Sequence, residues 1–203
     1  MIGIISYGLG NILSIKNTLD ETGNLTTIIN NPNEITEKIN KIILPGVGSF
    51  DNAIDLLEKK KFIDPIKNFV EKKDNYLLGI CLGMQILATK SDEGEKNGLN
   101  LIPGEVKKFE NAKILPHIGW NKVNKIKDSP LFLNIDNGTD FYFLHSYFYK
   151  LISNTFEIAN SNYFEKFTCA VENQNIFGVQ FHPEKSHQSG KIILNNFAKL
   201  NEN

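Results

Sequence analysis

Two short stretches of this chain carry side chains able to do covalent chemistry. The first is Gly79-Ile80-Cys81-Leu82-Gly83, a thiol with a glycine two positions away on either side. It sits between an apolar run at residues 76–80, which reads as a strand, and a helical stretch expected to start near Met84. A sharp strand-to-helix turn exposes its nucleophile at a sheet edge, and the flanking glycines prevent clashes across it. A free thiol titrates near ~8.5 and only the thiolate reacts, so activation is needed at neutral pH. The positive end of the following helix favours the anion. The backbone N–H of Leu82 would face a developing oxyanion. Cys169, in Phe167-Thr168-Cys169-Ala170-Val171, has none of these features and is assigned to the core.

The second stretch is His182-Pro183-Glu184, just after an apolar run at residues 176–180. Two residues apart in an extended segment, His182 and Glu184 would point the same way, and the proline stiffens the link. Glu184 can then accept from one ring nitrogen while the other faces sulfur. This is triad logic with Cys and Glu in place of Ser and Asp. A His-x-Glu pair alone is common on solvated surfaces; it gains weight from the cysteine turn. His187 reads as a helix-start residue, and His117 as a structural histidine.

The elements that must position these groups alternate. Strands are expected at residues 2–6, 25–29, 41–44 and 76–80. Helices are expected from about residue 12, with Asn11 as its N-cap, and at 32–39, 51–59 and 62–72. Strand–helix alternation implies a doubly wound sheet, mixed but mostly parallel, with flanking helices. In such sheets the site lies at the carboxyl ends of the strands, so residues 7–11, 45–49 and 79–83 should meet at one edge. The second half is richer in strands, at 106–109, 141–144, 156–159, 168–171 and 176–180, and closes with a helix at 190–200. With 203 residues and no linker, one domain spanning residues 1–203 is expected.

Composition narrows the class. Hydrophobic residues are 41%, charged residues 22% and the net charge is −1, which points to neither nucleic acid nor an anionic membrane. The basic residues are all Lys, so any bound anion must be held by Lys, backbone N–H groups or side-chain amides rather than by a guanidinium fork. Two unrelated Cys suggest no disulfide scaffold, and the start Met1-Ile2-Gly3-Ile4 has no signal-peptide pattern. A reducing cytoplasm is the simplest setting and leaves Cys81 a free thiol.

Taken together, Pro45-Gly46-Val47-Gly48, Gly79-Ile80-Cys81-Leu82-Gly83-Met84-Gln85 and Gln180-Phe181-His182-Pro183-Glu184 resemble, in order and spacing, the class I or triad-type glutamine amidotransferases. Narrower markers are Tyr7-Gly8-Leu9-Gly10-Asn11, His117-Ile118-Gly119-Trp120-Asn121, His145-Ser146-Tyr147 and Lys185-Ser186. They are similar to the subfamily that serves as glutaminase subunits of imidazole glycerol phosphate synthases. The resemblance implies that Cys81 attacks the glutamine carboxamide to form a thioester, with His182 as base and then acid, oriented by Glu184. It implies oxyanion donors from Gly46, Val47, Gly48 and Leu82; a Gly-Val-Gly loop lets backbone N–H groups approach closely. Gln85, one turn after Cys81, would join His145, Ser146 and Tyr147 in binding the glutamine main-chain groups.

The resemblance also implies a partner, a (β/α)8-barrel synthase (cyclase) subunit in a heterodimer, with Asn11, Trp120 and Lys185 facing it. No cofactor, metal, nucleic acid or membrane is implied. The run Gly119 to Asn121 reads as an exposed loop. Ser6 stands where many members carry Asp, a change to which no functional loss is attached. Lys185-Ser186-His187-Gln188-Ser189-Gly190 is also similar to paralogues that supply ammonia for amidination of an N-acetyl sugar. That destination stays open, as does a partner-independent cysteine peptidase or amidase on a related fold. A non-catalytic domain that kept the fold would be expected to show a damaged triad.

Overall fold

The computed structural model describes residues 1–201 of the 203. In chain order the elements are β1 (Ile2–Ile5), α1 (Ile12–Asp20), β2 (Thr26–Ile29), β3 (Lys41–Gly46), α2 (Phe50–Lys59), α3 (Ile63–Val70), β4 (Tyr76–Cys81) and α4 (Leu82–Gln85). There follow β5 (Lys90–Ser91), β6 (Gly104–Lys108), β7 (His117–Lys125), β8 (Thr139–His145), β9 (Tyr147–Leu151), β10 (Glu157–Tyr163), β11 (Glu165–Asn173), β12 (Ile176–Val179) and α5 (His187–Ala198).

The strands form one mixed sheet whose main path runs β2-β1-β3-β4-β12-β11-β10-β7-β8. Every pairing from β2 to β12 along that path is parallel, and every pairing from β12 to β8 is antiparallel. The parallel strands are apolar on both faces because each face is covered. Ile4, Ile43, Leu78 and Ile80 enter the core shared with α1 and α5. Their neighbours Ile5, Ile42, Leu44 and Leu77 enter the core under α2 and α3. Period-two alternation between two buried faces is what turns a continuous apolar run into a central strand.

The three expected strand-end loops do meet. Gly46 is in register with Cys81, Tyr7 Oη donates to Pro45 O at 2.8 Å, and a Cβ on Gly10 would strike Pro45 Cβ at 2.7 Å. β12 then lies parallel to β4, with Val179 opposite Ile80. This sets the residues after β12 beside those after β4.

Several expectations are corrected. The helix at 32–39 is only a 3-10 turn, Pro32–Glu34. Asn31 caps it, the Glu34 carboxylate turns back to Asn30 N, and Ile35 leaves helical geometry. A piece this short cannot repay helix nucleation. The stretch at Gly119–Asn121 is no loop but lies inside the nine-residue β7, where His117 and Val123 point inward and Ile118 and Trp120 outward. β5 and β9 had no expected counterpart, and antiparallel pairing extends further than the alternation suggested.

Candidate active site

Cys81 ends β4 with φ 55° and ψ −112°, a region that a residue bearing a Cβ enters only at an energetic cost. Glycines make it possible by leaving no gap around it. A Cβ on Gly83 would lie 1.8 Å from Leu44 O, and one on Gly79 would lie 2.5 Å from Gly83 O. α4 begins at Leu82, immediately after Cys81, and not near Met84 as expected. It is a single turn, so its influence on sulfur comes from the free N–H groups of that turn rather than from a long macrodipole. Cys81 Sγ lies 3.7 Å from Leu144 O and 3.7 Å from Gln180 Nε2.

His182 follows β12 and reaches the same edge with its ring almost fully buried. Its Nδ1 is 2.9 Å from Glu184 Oε1, and Nε2 has no hydrogen-bond partner. Burial alone would push the imidazole down, but the charge of the neighbouring sulfur and then Glu184 outweigh it and hold it up at about 10. Burial alone would likewise raise the Glu184 carboxyl. Hydrogen bonding and charge from His182, with the Asn11 amide, hold it below the usual carboxylate range instead.

The pair is not in an extended segment, as expected, but spans a 3-10 turn at Pro183–Lys185. Distant groups fix that turn. His182 N donates to Tyr142 O at 2.9 Å. Ser186 Oγ donates to His182 O at 2.7 Å and accepts from Tyr142 N at 3.0 Å.

A cavity of about 210 Å³ opens at the sulfur. Of the residues expected to hold substrate, it is lined by Val47, Gly48, Leu82, Gln85, His145, Ser146 and Tyr147, together with Cys81 and His182. Gly46 is the exception. It closes β3 as a packing glycine, and a Cβ there would meet Gly83 N at 2.8 Å, Leu82 Cβ at 2.9 Å and Tyr7 Oη at 2.9 Å. Gly48, at φ +100°, carries the turn of the loop past the cavity mouth. His145 lines the wall, but both ring nitrogens are engaged, with Tyr147 O at 2.8 Å and His117 Nδ1 at 3.1 Å. It shapes the pocket and has no free nitrogen for a ligand.

Three lining residues went unforeseen: Glu93, Pro116 and Leu144. Glu93 is the one carboxylate in the wall; it accepts from Phe50 N at 2.8 Å, and burial raises its carboxyl. Its loop has no sequence signal beyond being polar. Leu144 was one step from the His145-Ser146-Tyr147 marker. A larger cavity of about 660 Å³ between β6, β9 and β11 has no Cys or His in its wall and includes none of Cys81, His182 and Glu184.

The three residues expected at an interface surround the outer side of the His-Pro-Glu turn. Trp120 is 49% exposed and stacks on His187, with ring centroids 5.0 Å apart at 11°. Lys185 is exposed, its Nζ 5.6 Å from the Tyr142 ring centroid. Asn11 sits at the N-cap position of α1 but makes no capping bond; its Nδ2 donates to Glu184 Oε1 at 2.8 Å. It therefore touches the triad directly. Among the described residues no group of three or more His, Cys, Asp or Glu could hold a metal, and no helix is long and apolar enough to cross a membrane.

A thiol and an imidazole in the wall of one small cavity, with a carboxylate 2.9 Å from the imidazole, have the groups that acyl transfer needs. Comparison with known proteins identifies the family. The family model for class I glutamine amidotransferases matches residues 4–200. A protein of Leptospira interrogans described as imidazole glycerol phosphate synthase subunit HisH is 45% identical, over 98% of this chain and 100% of its own length. One of the same description from Bdellovibrio bacteriovorus is 42% identical with the same coverage. Among solved structures, a glutamine amidotransferase superposes with a TM-score of 0.78 at 17% identity, covering 98% of this chain and 97% of that one. PurLQS from Thermotoga maritima gives 0.77 at 18%, with the same coverage. At such identities the two structures speak to the fold.

Proposed function

We propose a function from one premise: the chain belongs to the class I glutamine amidotransferase family. It acts as the glutaminase subunit of an imidazole glycerol phosphate synthase, hydrolysing glutamine to glutamate and ammonia for a synthase subunit. The observation that carries the site assignment is that Cys81 and His182 line one cavity while Glu184 holds the imidazole, its Oε1 2.9 Å from His182 Nδ1.

The chemistry follows from that geometry. The Cys81 proton passes to His182 Nε2, and the sulfur attacks the side-chain carboxamide carbon of glutamine. The carbonyl oxygen takes the electron pair and faces the backbone N–H groups of Leu82 and the Val47-Gly48 loop. Leu82 opens α4, so its N–H has no acceptor within the helix. Collapse of the adduct breaks the C–N bond, the nitrogen takes the proton from His182, and ammonia leaves a γ-glutamyl thioester. Water then gives a proton to His182 while its oxygen attacks the thioester carbon; the C–S bond breaks and glutamate departs. Glu93 suits the α-ammonium of glutamine. Gln85 spends its Nε2 on Tyr147 O and Gln180 Oε1, which leaves its Oε1 for substrate.

Free ammonia in neutral water is mostly ammonium and not nucleophilic, so it must travel inside a sealed contact. We assign that contact to the face bearing Asn11, Trp120 and Lys185, joined by exposed Leu13 and Ile118, and its partner to a (β/α)8-barrel cyclase in a heterodimer. A reducing cytoplasm suits a catalytic thiol that must stay free. No observation favours the sugar-amidination or peptidase readings. The deciding experiment is Cys81→Ala in the complex. Glutamine-dependent synthesis should vanish while ammonia-dependent synthesis by the partner persists; loss of both would refute this division of labour.

A further inference from the structure

Gln180 is completely buried and has no part in the triad. Among the described residues its side-chain amide has two hydrogen-bond partners: Nε2 lies 3.7 Å from Cys81 Sγ, and Oε1 lies 3.0 Å from Gln85 Nε2. Which end of an amide faces which neighbour must be settled by the surrounding hydrogen bonds, and here they settle it. Tyr147 O can only accept, and it is approached by Gln85 Nε2 at 2.9 Å and His145 Nδ1 at 2.8 Å. His145 Nδ1 therefore carries the proton and its Nε2 accepts, from His117 Nδ1 at 3.1 Å. His117 Nε2 accepts in turn from Asn121 Nδ2 at 3.3 Å, and the same amide donates to Asn162 O at 2.8 Å. Every donor and acceptor in the chain agrees, with both histidines neutral. Gln85 must thus point N–H at Gln180 Oε1, which leaves Gln180 no choice but to aim N–H at sulfur.

We propose that Gln180 is a resident hydrogen-bond donor to the Cys81 thiolate, and that Gln85, backed by the His145–His117 pair, is the positioning residue that holds it there. The inference rests on Cys81 being the nucleophile, as assigned above. It gives the sulfur three distinct neighbours. Leu144 O accepts from the thiol form, His182 takes the proton, and Gln180 N–H favours the anion that remains, since a bond to the charged form stabilises that form.

The test is Gln180→Met in the full chain, which keeps bulk and removes the donor. Alkylation of Cys81 by iodoacetamide is followed against pH, resolved by peptide so that buried Cys169 does not contribute. The expected result is a rise of about one pH unit in the midpoint and an about tenfold slower reaction at neutral pH, because one unit changes the thiolate fraction tenfold. A profile that superimposes on the wild type overturns the proposal. If Gln180→Met does not fold, Gln85→Leu decides. Freed from its orienting partner, Gln180 should then give a smaller shift in the same direction, and an unshifted profile is again fatal. Wild-type Cys81 that glutamine fails to protect would instead defeat the glutaminase reading, so the two failures are distinguishable.

Discussion

The two halves of the triad are built in opposite ways. The turn at Cys81 is local and almost wholly apolar, and its shape is forced by glycines at positions where a Cβ would collide with backbone. The turn at His182–Glu184 is polar, and its shape is imposed from outside. Asn11 comes from the far end of the chain, Tyr142 from β8 and Ser186 from the start of α5. Steric enforcement is rigid and legible in sequence; hydrogen-bond enforcement is adjustable and depends on elements that meet only after folding. A nucleophile whose strain must persist belongs in the first kind of site. A base that must shuttle a proton, on the side that faces a partner, belongs in the second.

Substitutions can break this contrast from either side. The largest effect is expected from Glu184→Gln, which keeps the shape but removes the charge that helps hold His182 protonatable. The maximal rate of glutamine hydrolysis should fall about 10³-fold with little change in KM, the pattern of a lost transition-state interaction. Gly83→Ala should act through stability instead. With backbone at 1.8 Å the site must deform, and denaturant unfolding should report a loss of about 3 kcal/mol. If that variant is as stable as the wild type, the steric account of the elbow is wrong.

Asn11→Ala removes a hydrogen bond to a buried carboxylate and should lower turnover about tenfold. An equal loss with and without the synthase partner marks Asn11 as positioning the triad, and a loss confined to the complex marks it as purely interfacial.

The smallest effect is on stability against pH. His117 and His145 are buried and neutral, and burial pulls them down to about 4 and about 3. Below about 6.5 the unfolded chain takes protons that the folded one refuses. Their contribution is therefore complete above that value and is lost as pH falls through 4 and 3. Glu184, depressed in the fold, acts in the same direction at lower pH. His182, raised to about 10, contributes fully below its unfolded value and loses that contribution as pH rises through 10. Melting temperature should thus decline on the acid side from about pH 6, and His117→Phe should flatten that decline.

The parallel half was readable because its strands are buried on both faces, and continuous apolar runs such as Ile2 to Ile5 leave few alternatives. β7 was not readable. Its outward face carries Ile118 and Trp120 and its inward face a histidine, so the pattern that marks a strand is inverted. The same inversion marks the surface assigned to the partner. Glu93 escaped because a polar residue in a polar loop has no signature until the fold turns it into a cavity. Gln180 stood beside the triad motif, yet only the hydrogen bonds of Gln85 give its amide a direction.

By itself, then, the sequence singled out the thiol, the imidazole and the carboxylate proposed as the triad, because glycine spacing and the His-Pro-Glu order are local constraints written in adjacent residues. Tertiary structure alone decided which polar groups hold them. Asn11, Tyr142 and Gln180 act through hydrogen bonds a few ångströms long between residues up to 173 positions apart, and pairing at that separation leaves no mark in a linear pattern.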